Sequence, residues 1–265
     1  MDGMRTLLTG RGLLESPRWH DGRLYVSDWT AGEVLAVDAG GAEVVATVAS
    51  LPLCTAWTPD GRMLIVDSAR GLLLCREPDG LLSTYADLGR TGWNDIAVDA
   101  RGDVYVNGGA LDPAVGGSVH LVTPDGAVRA VADDIAFPNG MAVTPDDRTL
   151  IVADSYRHEL VAFDIEPDGA LSGRRTWAGL GAGTPDGICV DASGAVWYAD
   201  VPNRCCALVA EGGEVLRTIQ LDRGGFACVL GGSTLFVVTA RWRGMNETDM
   251  VEPGSGQVLA IDLPE

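Results

Sequence analysis

The 265 residues contain only three histidines, no two cysteines in a CxxC pair and no GxSxG motif. The first two absences leave no zinc site of the usual His and Cys spacing, and the third removes the nucleophile elbow of serine hydrolases. No apolar run approaches the roughly 20 residues of a membrane span. The N-terminal MDGMRTLLTGRGLLESP lacks the continuous apolar core of a secretory signal, so a cytoplasmic location without a membrane partner is expected. Basic residues are scarce: 19 Lys and Arg face 37 acidic residues, and the formal charge of −18 is spread along the chain. That balance attracts cations and opposes nucleic acid. The six cysteines, Cys54, Cys75, Cys189, Cys205, Cys206 and Cys228, are expected to be reduced and mostly buried, with a redox role for the vicinal pair Cys205–Cys206 as the alternative.

What the chain has in abundance is turn punctuation. Thirty-five glycines accompany 46% hydrophobic residues, an ordinary globular composition rich in tight turns. A turn with Gly or Asp followed by a short apolar run recurs six times: DGRLYVSD, DGRMLIVD, RGDVYVNG, DDRTLIVAD, SGAVWYAD and GGSTLFVVT. The runs begin at Leu24, Met63, Val104, Leu150, Val196 and Leu235, in steps of 39, 41, 46, 46 and 39 residues. A second strand signal follows each, as in EVLAVD, SVHLV, ELVAFD and QVLAID, and no amphipathic helix interrupts them. Several strands per roughly 40 residues mark a propeller blade. The expected fold is all-β, one six-bladed β-propeller domain over 1–265. Its last repeat ends one strand short, and residues 4–9 are expected to supply that strand and remove the exposed edge.

Counting back about ten positions from each run compares the residues that open the innermost strands. They are Glu15, Leu53, Asn94, Asn139, Asp186 and Gly225. Innermost strands line a propeller's axis, so these positions converge at one mouth. Two carboxylates and two carboxamides without Cys or His suit one divalent ion, Ca²⁺ first, with Mg²⁺, Mn²⁺ or Zn²⁺ also acceptable. The competing reading is that Asn-Gly and Asp-Gly are simply turn dipeptides. A second ring, Asp28, Asp67, Gly108, Asp154, Asp200 and Thr239, closes the next strands; its Asp residues read chiefly as strand-end caps.

LLESPRW, PNGMAV followed by DDRTLIVADS, and TPDGICVDASGAVWYAD resemble the senescence-marker-protein (regucalcin) and gluconolactonase family along essentially the whole chain. The resemblance implies a six-bladed propeller with lactonase activity, with Glu15, Asn139 and Asp186 on the family's metal ligands. Asn94 falls on its fourth pocket residue, which binds metal or a water and the substrate. Regucalcin-like members carry an Arg two residues before that Asn; here the position is Gly92, with Arg90 offset, and GGALDPAVGG also departs from the family pattern.

The expected activity is therefore hydrolysis of a small lactone or ester. A metal would polarise the carbonyl and activate water, Asp186 would be the general base and Glu15 a metal ligand alone. The alternatives are a Lewis-acid isomerase or similar biosynthetic enzyme, or a non-catalytic calcium-binding propeller. Loops 108–117 and 241–256 are expected to return to the metal mouth. With them Trp29, Asn94, Trp93, His158, Arg241, Trp242 and Met245 become candidates for the substrate pocket. The partner is expected to be a small molecule, bound by a monomer or weak homo-oligomer.

Overall fold

The computed structural model describes residues 3–112, 114–245 and 249–263. Its 24 strands form six four-stranded antiparallel sheets. No helix occurs among the described residues, and so none is long and apolar enough to cross a membrane. Each sheet is one blade of a β-propeller. Blades 1 to 5 are consecutive meanders, and their innermost strands are Leu14–His20, Leu53–Trp57, Trp93–Val98, Pro138–Val143 and Pro185–Val190. Blade 6 takes three strands from the C-terminal part, beginning with Gly224–Gly231, and its outermost strand is Met4–Arg11, paired with Gly256–Asp262. The N-terminal strand thus closes the ring, and the last blade has no unpaired edge where the chain ends.

Local chemistry explains the repeat. Apolar runs such as Val196–Asp200 are second strands buried on both faces, because each blade is covered by a neighbour on either side. Tight turns separate them from the innermost strands. In blade 2, Thr58 N–H donates to Arg62 O at 3.0 Å and Gly61 N–H to Thr58 O at 2.9 Å. Gly61 sits at φ +84°, a left-handed conformation that costs a glycine nothing. Six hydrophobic clusters fill the spaces between and within the blades, with Leu35, Trp93, Trp197 and Leu64 among the fully buried side chains. All six cysteines are free; five are buried and Cys189 is half-buried.

Gly140 and Gly187 decide how the dipeptides Asn139–Gly140 and Asp186–Gly187 are read. Both lie inside innermost strands and neither adopts positive φ, so they are not turns. A Cβ on Gly140 would stand 2.6 Å from Asp186 O, and one on Gly187 2.2 Å from the Ala227 Cβ of the next blade. Glycine is needed there because adjoining innermost strands crowd together around the axis.

Candidate functional site

Glu15, Asn94, Asn139 and Asp186 are each the second residue of an innermost strand. In all four blades the ladder slips beside that residue. Blade 1 pairs Glu15 with Ser27 and then Arg18 with Tyr25; blade 5 pairs Pro185 with Asp200 and then Ile188 with Tyr198. Blades 3 and 4 slip in the same way, between Trp93 and Ile96 and between Pro138 and Met141. A bulge carries one extra residue, bends the strand and re-aims its side chains. Blade 2 has no slip, and its equivalent position is Leu53.

The four polar side chains share one cavity of about 430 Å³. Asn94 Nδ2 donates to Asn139 Oδ1 at 3.1 Å and to Pro138 O at 3.3 Å, and Asn139 Nδ2 donates to Ser155 Oγ at 3.3 Å. Glu15 is 8% exposed and accepts a hydrogen bond from the Ser16 N–H at 2.9 Å. Burial pushes its carboxyl up to about 8; the Asp95 charge adds to the shift, while the Ser16 hydrogen bond and Arg18 oppose it. Burial also pushes Asp186 well above the usual carboxylate range, the Glu15 charge pushes further, and the Asn139 amide pulls back.

Two desolvated acids therefore line one cavity, close enough for the Glu15 charge to act on Asp186. Arg18 is committed elsewhere, donating to Asp95 Oδ1 at 2.7 Å, Ile96 O at 3.0 Å and Pro17 O at 3.0 Å. Desolvated carboxylates short of counter-charge, with two amide oxygens beside them, fit a hard divalent cation, which would offset their desolvation. Among the described residues no three His, Cys, Asp or Glu side chains cluster to hold a metal, so an ion here depends on the two carboxamides.

Several supporting residues escaped the sequence reading. Asn107, fully buried, accepts from the Asp95 N–H at 3.1 Å and donates to Asn139 O, tying the bulges of blades 3 and 4 together. Asp95 Oδ2 also accepts the Met141 N–H at 2.8 Å. Ser155 Oγ donates to Pro185 O at 2.6 Å, linking the strands that carry Asn139 and Asp186. The second ring behaves as caps. Asp28 accepts the Thr30 and Ala31 N–H groups, Asp154 those of Ala136, Phe137 and Arg157, and Asp200 those of Thr184 and Asn203.

Loops following the second strands wall the cavity, including Trp29, Tyr156, Trp242 and Met245. Of loops 108–117 and 241–256, Gly109, Leu111, Trp242, Met245 and Met250 reach it, whereas residues 113 and 246–248 lie outside the described residues. Three pocket expectations need correction. Trp93 is fully buried beside Asn94: its indole N–H donates to Arg90 O at 2.6 Å and the Arg90 guanidinium lies 3.9 Å over its ring. Strand alternation turns Trp93 into the blade interface where Asn94 turns to the axis. His158 sits at φ +56° with Nδ1 2.8 Å from Gly183 O, and is not part of the cavity lining. Arg241 is not in the cavity lining; it lines an adjoining 340 Å³ pocket with Arg204 and Arg223, which shares Val201, Pro202 and Trp242 with the cavity, and it pairs with Glu252 at 3.3 Å. Arg90 is held by Trp93, Gly108 O and Ser118 Oγ, so it does not replace the side chain missing at Gly92.

Residues 13–241 match the family described as the SMP-30/Gluconolactonase/LRE-like region. The chain is 29% identical to regucalcin of Danio rerio over 161 residues, which is 57% of this chain and 55% of that protein, so the aligned part spans little more than half its length. It is 29% identical to a pentonolactonase of Haloferax volcanii over 253 residues, 89% of this chain and 84% of that one. A gluconolactonase structure from Xanthomonas campestris superimposes with a TM-score of 0.80 at 24% identity, covering 98% of this chain and 89% of the other, which speaks to the fold.

Proposed function

The chain belongs to the SMP-30/gluconolactonase/LRE-like family, and from that premise we propose that it is a divalent-metal-dependent hydrolase of a small lactone or ester. The observation that carries the reading is the pair Glu15 and Asp186, a buried and a half-buried acid, both raised chiefly by desolvation, on the floor of a cavity that also presents Asn94 and Asn139. The pentonolactonase of Haloferax volcanii, aligned over most of both chains, supports lactone hydrolysis.

Glu15, Asn139 and Asp186 would hold the ion, with Asn94 as a fourth oxygen donor. When bound, a divalent ion supplies Lewis acidity toward a carbonyl and lowers the pKa of water. The protein's part is positioning and proton transfer. Asn107 and Ser155 hold the strands bearing Asn139 and Asp186 in register. An Asp186 carboxylate oxygen accepts the proton of the attacking water and returns it to the departing ring oxygen. Glu15, whose carboxyl lies 8% exposed against the Ser16 N–H, serves as a ligand alone.

A pH-stat assay on δ-valerolactone, dihydrocoumarin and δ-gluconolactone tests this, using protein stripped by chelator and then supplied separately with Ca²⁺, Mg²⁺, Mn²⁺ or Zn²⁺. Hydrolysis that is lost on stripping and restored by one of the ions is expected. Rates indifferent to metal, or no hydrolysis with metal present, would remove the reading.

A further inference from the structure

The cavity has a polar floor and apolar walls, and the division is sharp. Its polar lining side chains are Glu15, Asn94, Asn139 and Asp186 on the floor, with Ser155, Thr184 and the polar ends of Tyr156 and Trp242 besides. The Ser155 hydroxyl is spent on Pro185 O at 2.6 Å, and Thr184 Oγ1 lies 3.4 Å from His158 Nδ1. Aromatic rings from three blades supply the walls. Phe137 stacks on Tyr156 with centroids 4.7 Å apart, and Phe226 meets Trp242 edge-on at 5.7 Å. Trp29 directs its indole N–H at Leu53 O, 2.6 Å away, so the rest of its ring is left for packing.

The rim continues the pattern. Leu51, Leu111, Tyr156 and Met245 are 49%, 56%, 41% and 44% exposed, and all four line this one cavity. Large apolar side chains gathered at one exposed site mark a binding surface more than solvent-facing chance does. No Arg, Lys or His is among the described lining residues, and the floor carries two acids. Above the floor no basic side chain is present to pair with an anionic substituent, and a polyhydroxylated ring would find the Tyr156 hydroxyl, the Trp242 indole N–H and the Thr184 hydroxyl as its few partners on walls that are otherwise carbon.

We propose, resting on the hydrolase reading above, that the substrate is a neutral, ring-bearing hydrophobic lactone or ester whose carbonyl meets the polar floor while its apolar body lies against Trp29, Phe137, Tyr156 and Trp242. Pockets of this size hold drug-sized ligands chiefly by apolar burial, with a few polar groups fixing orientation. Polyhydroxylated and acidic lactones are disfavoured by the same walls.

Calorimetry with two non-hydrolysable lactams separates this inference from the hydrolase reading. The aryl-fused 3,4-dihydroquinolin-2-one should bind at least tenfold tighter than gluconolactam. Tyr156→Ala, at an exposed position, should weaken the aryl lactam about tenfold and leave gluconolactam unchanged, with a thermal melt confirming the fold. In parallel, kcat/KM should favour dihydrocoumarin over δ-gluconolactone by about a hundredfold. Equal or tighter binding of gluconolactam, or binding of neither lactam, overturns the substrate class. Preferred binding of the aryl lactam without hydrolysis of either lactone sinks the hydrolase reading and upholds the apolar ligand class.

Discussion

Glu15 and Asp154 are buried carboxylates at the same end of the propeller, and the chain treats them in opposite ways. Asp154, fully buried, accepts backbone N–H groups from Ala136, Phe137 and Arg157 and stands 3.5 Å from the Arg157 guanidinium. Its charge is consumed in shaping the loops of blade 4. Glu15 has the Ser16 N–H, and its carboxyl is pushed upward by burial. Asp186 shares that condition. A saturated buried acid is structural; a pair left short of donors keeps its affinity for a cation and a proton. On the proposed function, the two rings would separate stability from function.

The strongest way to break the comparison is to exchange consequences between the rings. Asp186→Ala should lower lactone-hydrolysing kcat/KM by at least about a thousandfold while leaving the metal-free melting temperature unchanged or raised, since it removes a desolvated charge. Asp67→Ala should do the reverse. It removes the acceptor of the Arg70 N–H and guanidinium in blade 2 and should cost about 2 kcal/mol in urea unfolding, with kcat/KM changed less than about threefold.

pH sharpens the contrast. The folded-state pKa of Glu15 lies near 8 against an ordinary value of 4.5, so between these values the native metal-free protein holds more protons than the unfolded chain. Its stability is therefore present at low pH and falls as pH rises from about 4.5 to about 8. Melting curves of stripped protein should show this loss, and a saturating divalent ion should cancel most of it. The smallest effect belongs outside both rings: Arg241→Ala, on the neighbouring pocket, should leave kcat/KM within about twofold.

The fold was legible because six copies of one pattern repeat each error and each signal alike. The last repeat's missing strand even pointed to residues 4–9, and the closing strand is Met4–Arg11. The convergence of Glu15, Asn94, Asn139 and Asp186 on one cavity was legible for the same reason. What failed was local. Trp93 and Asn94 are adjacent, and no periodicity says which of two neighbours a bulge will turn to the axis. His158 is turned to Gly183 O, 25 positions away, and Arg241 to Glu252 within its own loop, contacts that no periodicity announces. Arg18, Asp95 and Asn107 join three blades through contacts between residues 12 to 77 positions apart, and single residues of ordinary type gave no signal. Of the apolar walls, Trp29, Trp242 and Met245 were legible from their loops, whereas Phe137, Leu51 and Phe226 look like core residues until the loops are in place.

The central claim is that Glu15 and Asp186 are left short of partners for the sake of one divalent ion. Elemental analysis of the purified protein, after dialysis against a weak chelator and readdition of Ca²⁺, tests it most directly. The account predicts about one ion per chain in the wild type and none in Asp186→Ala, with Asp67→Ala retaining its full complement. Equal metal content in wild type and Asp186→Ala, or none in either, would contradict it.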